Sequence, residues 1–319
     1  MFRRNALPLL EITAPDIRPY RKGNTGLEYV TTFDSGKPGP HVILNALTHG
    51  NEFCGAHALL WLFAREPVPK RGRLTLCFAN WEAYQYFKPS DPYSARFLDE
   101  DFNRVWDEKA LNGARISREL DRARQLRPLI SQADILLDIH SMHQDSPPLM
   151  LCGMQDKALA LAKQIGVPAF LIRDKGHEAG RRMRDYGAFD LPTSPKVALL
   201  VECGQHWLAA SVAVAIQTIT RLLHVLDLMP RSFFEADRQS DALPTQRVVT
   251  VSTTVTIKSP HFQFQREFRS MEMIPEAGTL IARDGQEEIR TPYPECVLVM
   301  PGRQMLPGNS AVRLGRITG

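Results

Sequence analysis

The chain has 319 residues, enough for one large unit or a large unit with a small one, each able to bury a core. With 44% hydrophobic and 23% charged residues, its composition is that of a soluble globular protein, which excludes the disordered and fibrous classes. Its 39 basic and 35 acidic residues leave a net charge of +4 with no basic stripe, so nucleic acid is not an expected partner.

The opening MFRRNALPLL has two arginines and a brief apolar stretch broken by Pro8, too short for the core of an export signal. From residue 28 to about 230, short apolar runs alternate with helical stretches, which predicts an α/β domain over residues 1–230. Strands are expected at Glu28–Phe33, His41–Ala46, Arg73–Phe78, Ile135–Ile139, Leu149–Leu151 and Val197–Val201. Helices are expected at Glu52–Arg65, Ser117–Ile130, Lys157–Ile165 and Leu208–Leu228, the last ending before Pro230. That last stretch carries Gln217, Arg221, His224 and Asp227, so no segment reads as a membrane helix. A polar linker is expected at about 231–245. RVVTVSTTVTI then opens a β-rich unit over 246–319, its short apolar runs punctuated by Gly278, Gly285, Pro301 and Gly308. Five scattered cysteines without CxxC spacing exclude a disulfide framework and a thiolate zinc site, and predict a reducing cytoplasm.

Chemistry concentrates at predicted strand ends. LNALTHGNEF places His49 and Glu52 three residues apart between a strand and a helix, and catalytic zinc takes three nitrogen or oxygen ligands with one position left for water. Alone, Glu52 could simply favour the positive end of the following helix. ADILLDIHSM delivers His140 at the carboxyl end of a buried strand, where ligands of open α/β sheets collect. KVALLVECGQHW brings Glu202 to a third strand end, and burying a carboxylate is costly without a partner or a task. SARFLDEDFNRVWD crowds Arg96, Asp101, Asn103 and Arg104 into a loop, a pattern that is otherwise ordinary solvated surface. Cys203 beside Glu202, with His206 nearby, permits a thiol mechanism on paper, but a cysteine just past a buried strand reads as core. His57 and His143 read as structural.

HGNE, DFNR, DIH and VECG, in this order over about residues 40–210, resemble the succinylglutamate desuccinylase/aspartoacylase family, relatives of the zinc carboxypeptidases. TPYPECVLVMPGR followed by RLGR resembles bacterial members of open substrate. The resemblance implies a zinc-carboxypeptidase-like mixed sheet flanked by helices, with a smaller C-terminal β-rich domain. It implies one zinc ion per chain on His49, Glu52 and His140, with Glu202 as general base and later general acid. Arg96 would polarise the scissile carbonyl, Asn103 and Arg104 would grip a substrate carboxylate, and Asp101 would orient a zinc histidine, most readily His49. The family also uses an arginine shortly before the general base and a late tyrosine. Arg181, Arg182 and Arg184 are candidates for the first and Tyr293 for the second, although the segment from Arg184 to Glu202 is longer than in the named enzymes.

The expected function is hydrolysis of the amide of a small anionic N-acyl amino acid; the acyl group is open, and an oligomer is compatible with the sequence. A metallocarboxypeptidase acting on short peptides is the alternative, because the same residues would serve it. A non-catalytic metal-binding protein is disfavoured, since Glu202 and Arg96 are both present.

Overall fold

The computed structural model describes residues 9–230, 232–233, 242–302 and 306–319. The expected linker at 231–245 falls largely outside these residues, as do residues 1–8.

Fourteen strands are formed by the described residues: β1 Val30–Asp34, β2 His41–Ala46, β3 Arg73–Phe78, β4 Ile135–Met142, β5 Leu149–Leu151, β6 Phe170–Arg173, β7 Val197–Gln205, β8 Arg247–Thr256, β9 Phe262–Phe264, β10 Glu272–Ile274, β11 Leu280–Asp284, β12 Glu287–Arg290, β13 Cys296–Val299 and β14 Ser310–Ile317. The helices are α1 Cys54–Phe63, α2 Trp81–Tyr84, α3 Glu108–Asn112, α4 Arg118–Gln132, α5 Asp156–Ile165 and α6 Ala209–Val225. Eleven strands form one mixed sheet in the order β1-β3-β2-β4-β7-β5-β6-β8-β14-β13-β10, and β12-β11-β9 form a small second one. At the centre β3, β2, β4 and β7 are parallel, which explains their nearly continuous apolar runs, covered on both faces.

Alternation along the strands sorts side chains between two cores. Leu137, Ile139, Leu199 and Val201 join residues of α1, α5 and α6, whereas Ile43, Leu136 and Ala198 join α4, Trp106 and Met183 on the opposite face. The sheet crosses into the C-terminal part because β8 pairs in parallel with β6 and antiparallel with β14. A separate core of residues such as Phe262, Ile281, Leu298 and Leu314 fills that part.

Several boundaries differ from expectation. β4 and β7 run on to Met142 and Gln205 instead of stopping at Ile139 and Val201, since their ladder continues through the pair His140–Glu202. His140 and Glu202 therefore sit inside strands. α1 starts at Cys54, two residues after Glu52, and β6 was not anticipated because four residues between loops carry little periodicity. Among the described residues no helix is long and apolar enough to cross a membrane.

Candidate active site

β2, β4 and β7 are neighbours in the sheet, so the residues at their carboxyl ends meet at one edge. His49 lies three residues past β2 in a tight loop. Gly50 is required there, because a Cβ would stand 2.4 Å from the Tyr84 backbone nitrogen and 2.5 Å from the Ala95 oxygen. Its own N–H donates to the Arg96 carbonyl (3.1 Å), which ties the His49 loop to the Arg96 loop. Glu119 of α4 steadies the second loop, accepting from the backbone nitrogens of Leu98 (2.7 Å) and Asp99 (3.1 Å).

Side-chain atoms of His49, Glu52 and His140 converge within 4.8 Å of one another, and all three residues are buried. His49 Nδ1 lies 2.8 Å from Glu52 Oε1, and His140 Nδ1 lies 2.9 Å from Oε2. The other ring nitrogens meet carboxylates: His49 Nε2 is 2.9 Å from Asp101 Oδ1, and His140 Nε2 is 2.8 Å from Asp138 Oδ2. A carboxylate can only accept, so a proton or a metal ion must stand between each Nδ1 and Glu52; His49 Nε2 also lies 2.9 Å from Arg96 Nη2, which can only donate. Two nitrogens and one carboxylate, with an outer carboxylate beside each imidazole, make a donor set that fits a zinc ion.

Asp138 was not singled out from the sequence. It precedes His140 by two positions, hence lies on the same strand face, and it also accepts from Thr48 Oγ1 (2.7 Å) and Asn45 Nδ2 (2.8 Å). The DIH spacing was the available signal.

Arg96 donates Nη1 to Glu52 Oε1 (3.0 Å) and Nη2 to Asp101 Oδ2 (3.0 Å). Burial pushes Glu52 upward, but the opposing charges and hydrogen bonds of His49 and His140 outweigh it and hold the carboxyl well below its usual range. Glu202 is different: burial pushes it up to about 8, Glu52 adds to the rise, and His140, Arg96 and Arg313 oppose it. Its Oε2 is buried without a hydrogen-bond partner among the described residues. A buried carboxylate near neutrality with a spare oxygen is suited to moving protons.

Asn103 is buried and accepts at Oδ1 from the Met183 backbone nitrogen (2.8 Å), which joins its loop to residues 182–185. Arg104 donates to the Asn103 carbonyl oxygen (2.8 Å). The three candidate arginines before β7 are engaged elsewhere. Arg182 is held by Asp174 (2.8 and 2.9 Å) and Asp185 (2.5 Å), Arg184 by Asp185 and the Cys152 carbonyl (3.0 Å), and Arg181 by the Asp185 carbonyl (3.0 Å). Tyr293 bonds Ser252 Oγ (2.7 Å) and stacks under Arg316, in the C-terminal part. Sequence reading missed Arg313, a charge inside the apolar run AVRL of β14 whose influence reaches Glu202.

Cys203 follows Glu202 and so points to the opposite face, into the core of α1 and α6, where burial raises its thiol well above the usual value. Nothing there activates a thiolate. His57 meets the Thr13 carbonyl (2.8 Å), and His143 stacks on Tyr93.

Residues 38–226 match the family model described as the succinylglutamate desuccinylase/aspartoacylase catalytic domain. Among solved structures, the chain is similar to a succinylglutamate desuccinylase from Vibrio parahaemolyticus, at 15% identity over 92% of this chain and 87% of that one, with a TM-score of 0.66. A succinylglutamate desuccinylase from Vibrio cholerae is similar at 17% identity, over 91% and 86% of the two chains, with a TM-score of 0.65. The product-bound ectoine utilization protein EutE (DoeB) from Ruegeria pomeroyi shares 18% identity over 93% and 92%, with a TM-score of 0.60. At these identities the likeness speaks for the fold. No curated protein matches the chain.

Proposed function

The chain belongs to the succinylglutamate desuccinylase/aspartoacylase family, and from that membership we propose that it is a zinc-dependent hydrolase cleaving the amide of a small, carboxylate-bearing N-acyl amino acid. The observation that carries this reading is the convergence of His49 Nδ1, His140 Nδ1 and the Glu52 carboxylate beside Glu202, whose Oε2 has no partner among the described residues.

In this reading His49, Glu52 and His140 hold one zinc ion, with Asp101 and Asp138 fixing the two imidazoles. A cation so held acts as a Lewis acid and lowers the pKa of bound water. Glu202 takes a proton from the attacking water and returns it to the departing amine nitrogen. Arg96 turns its guanidinium toward the oxygen on which charge develops. Asn103 fixes the loop, and Arg104 beside it binds a carboxylate of the substrate. Five buried free cysteines support a working place in a reducing compartment such as the cytoplasm.

A hydrolysis panel of N-acetyl and N-succinyl amino acids beside short peptides tests the reading, with the Glu202→Ala protein as control. N-acyl amino acids should be cleaved faster than peptides. Faster peptide cleavage would turn the assignment to a carboxypeptidase, and equal rates with Glu202→Ala would remove Glu202 from the chemistry.

A further inference from the structure

The arginines around the site divide by their partners. Arg96, Arg182 and Arg184 are each hydrogen-bonded to carboxylates. Among the described residues, Arg104 and Arg313 are not. Arg104 reaches only the Asn103 carbonyl among the described residues, and Arg313, on β14, faces Asp174 across 3.5 Å through an Nε that makes no hydrogen bond there. Arg313 is 3% exposed. Burial pulls the guanidinium of Arg104 down to about 10; Asp101 opposes this, while Arg96, Arg313 and Arg182 add to it. Arg313 is lowered as well, by burial first, with Asp174 and Glu202 opposing and Arg182 adding. A half-buried and a buried guanidinium that repel each other, with no carboxylate hydrogen-bonded to either among the described residues, are unfavourable unless an anion joins them.

The surroundings hold this pair in place. The loop after β6 presses on Arg104: Gly180 has φ +141°, and a Cβ there would stand 2.1 Å from the Arg104 carbonyl oxygen. The same loop carries His177, whose Nδ1 lies 3.0 Å from Ser310 Oγ and whose Nε2 lies 2.7 Å from Arg313 Nη2. Arg313 can only donate, so Nε2 accepts and Nδ1–H donates to Ser310. The imidazole is neutral, since burial first, then Arg313, Arg104 and Arg182, hold its pKa well below the usual value.

We propose that Arg313 is a specificity-determining residue: with Arg104 it forms a carboxylate subsite beside Glu202, supplied in part by the last strand of the chain, and neutral His177 positions it. The proposal rests on the hydrolase reading above, in that the carboxylate belongs to the substrate of that site. It explains why Arg182 and Arg184 can be spent on Asp174 and Asp185: the charge that receives a second group on the substrate comes from the C-terminal β unit. A planar guanidinium offers paired N–H donors to a carboxylate, so geometry as well as charge selects the ligand.

The test is calorimetric titration of succinate into the full-length wild-type protein and into Arg313→Met, His177→Leu and His177→Gln. Binding by the wild type should weaken about 10- to 100-fold in Arg313→Met, the range expected for losing a charge-assisted contact. His177→Leu should weaken it too, and His177→Gln should restore it, because an amide oxygen can still accept from Arg313. For the best N-acyl amino acid of the panel, Arg313→Met should raise KM with little change in kcat. Succinate affinity in Arg313→Met equal to that of the wild type overturns the proposal, as does absence of succinate binding by the wild type. If Arg313→Met fails to fold by circular dichroism, equal affinities of His177→Leu and the wild type overturn it. Succinate binding needs no turnover, so its result stands apart from the fate of the hydrolase reading.

Discussion

His140 and Glu202 are register partners in the parallel pair β4–β7, one backbone ladder holding both side chains on the same face of the sheet. Neighbouring strands lie about 4.8 Å apart, so a ligand candidate and a proton-transfer candidate are fixed side by side without help from any loop. His49 and Arg96 come instead from loops, joined through the N–H of Gly50.

Glu202→Ala should keep about one zinc per chain and lose roughly 10²- to 10⁴-fold in kcat, the usual scale for removing a general acid-base group. Metal content by plasma emission and hydrolysis rates on the same sample decide it. Loss of metal would make Glu202 a ligand instead.

His140→Ala should strip the ion, and Asp138→Asn should weaken zinc affinity about 10- to 100-fold, since an amide no longer accepts so strongly from Nε2–H. Competition with a chelator measures both. Wild-type affinity in Asp138→Asn would mean that Asp138 serves packing only.

Glu202 must be ionised to accept a proton, and burial pushes it up to about 8. A divalent cation beside it favours the carboxylate and draws that value down. The profile of kcat/KM should therefore fall about tenfold per pH unit below an apparent pKa at or under about 8. The residual activity of Glu202→Gln should lack this limb; a limb that persists there belongs to another group.

His206 is buried and bonds Ser141 Oγ (2.7 Å), with burial holding its pKa down at about 3. Its folded value is depressed, so the folded chain keeps it neutral while the unfolded chain takes a proton near 6.5. The stability this contributes is complete above about pH 6.5 and shrinks as pH falls toward 3, by at most about 1.4 kcal/mol per unit. Urea unfolding near pH 7.5 and pH 5 should show a smaller loss for His206→Asn than for the wild type. An identical loss would clear His206 of the effect.

Gly50→Ala should destabilise the protein by roughly 1–3 kcal/mol and lower zinc occupancy, because the added Cβ collides with backbone atoms of Tyr84 and Ala95 rather than with a flexible side chain. Thermal unfolding and metal analysis test the two halves. An unchanged Tm would mean that the two loops move apart freely.

The sequence by itself determined the strands and the residues at their ends. His41–Ala46, Arg73–Phe78 and Leu149–Leu151 were legible to the residue, because strands buried on both faces must be continuous apolar runs, and polar residues that break such runs stand out. His49, Glu52, His140 and Glu202 were visible for that reason. Sequence could not show that β4 and β7 continue past His140 and Glu202, since a ladder depends on the facing strand as much as on its own residues. Nor could it rank Arg181, Arg182, Arg184 and Arg313, because the choice depends on which carboxylate each one meets. That was decided by β8 joining β6, which carries β14 into the same sheet and brings Arg313 within electrostatic reach of Glu202.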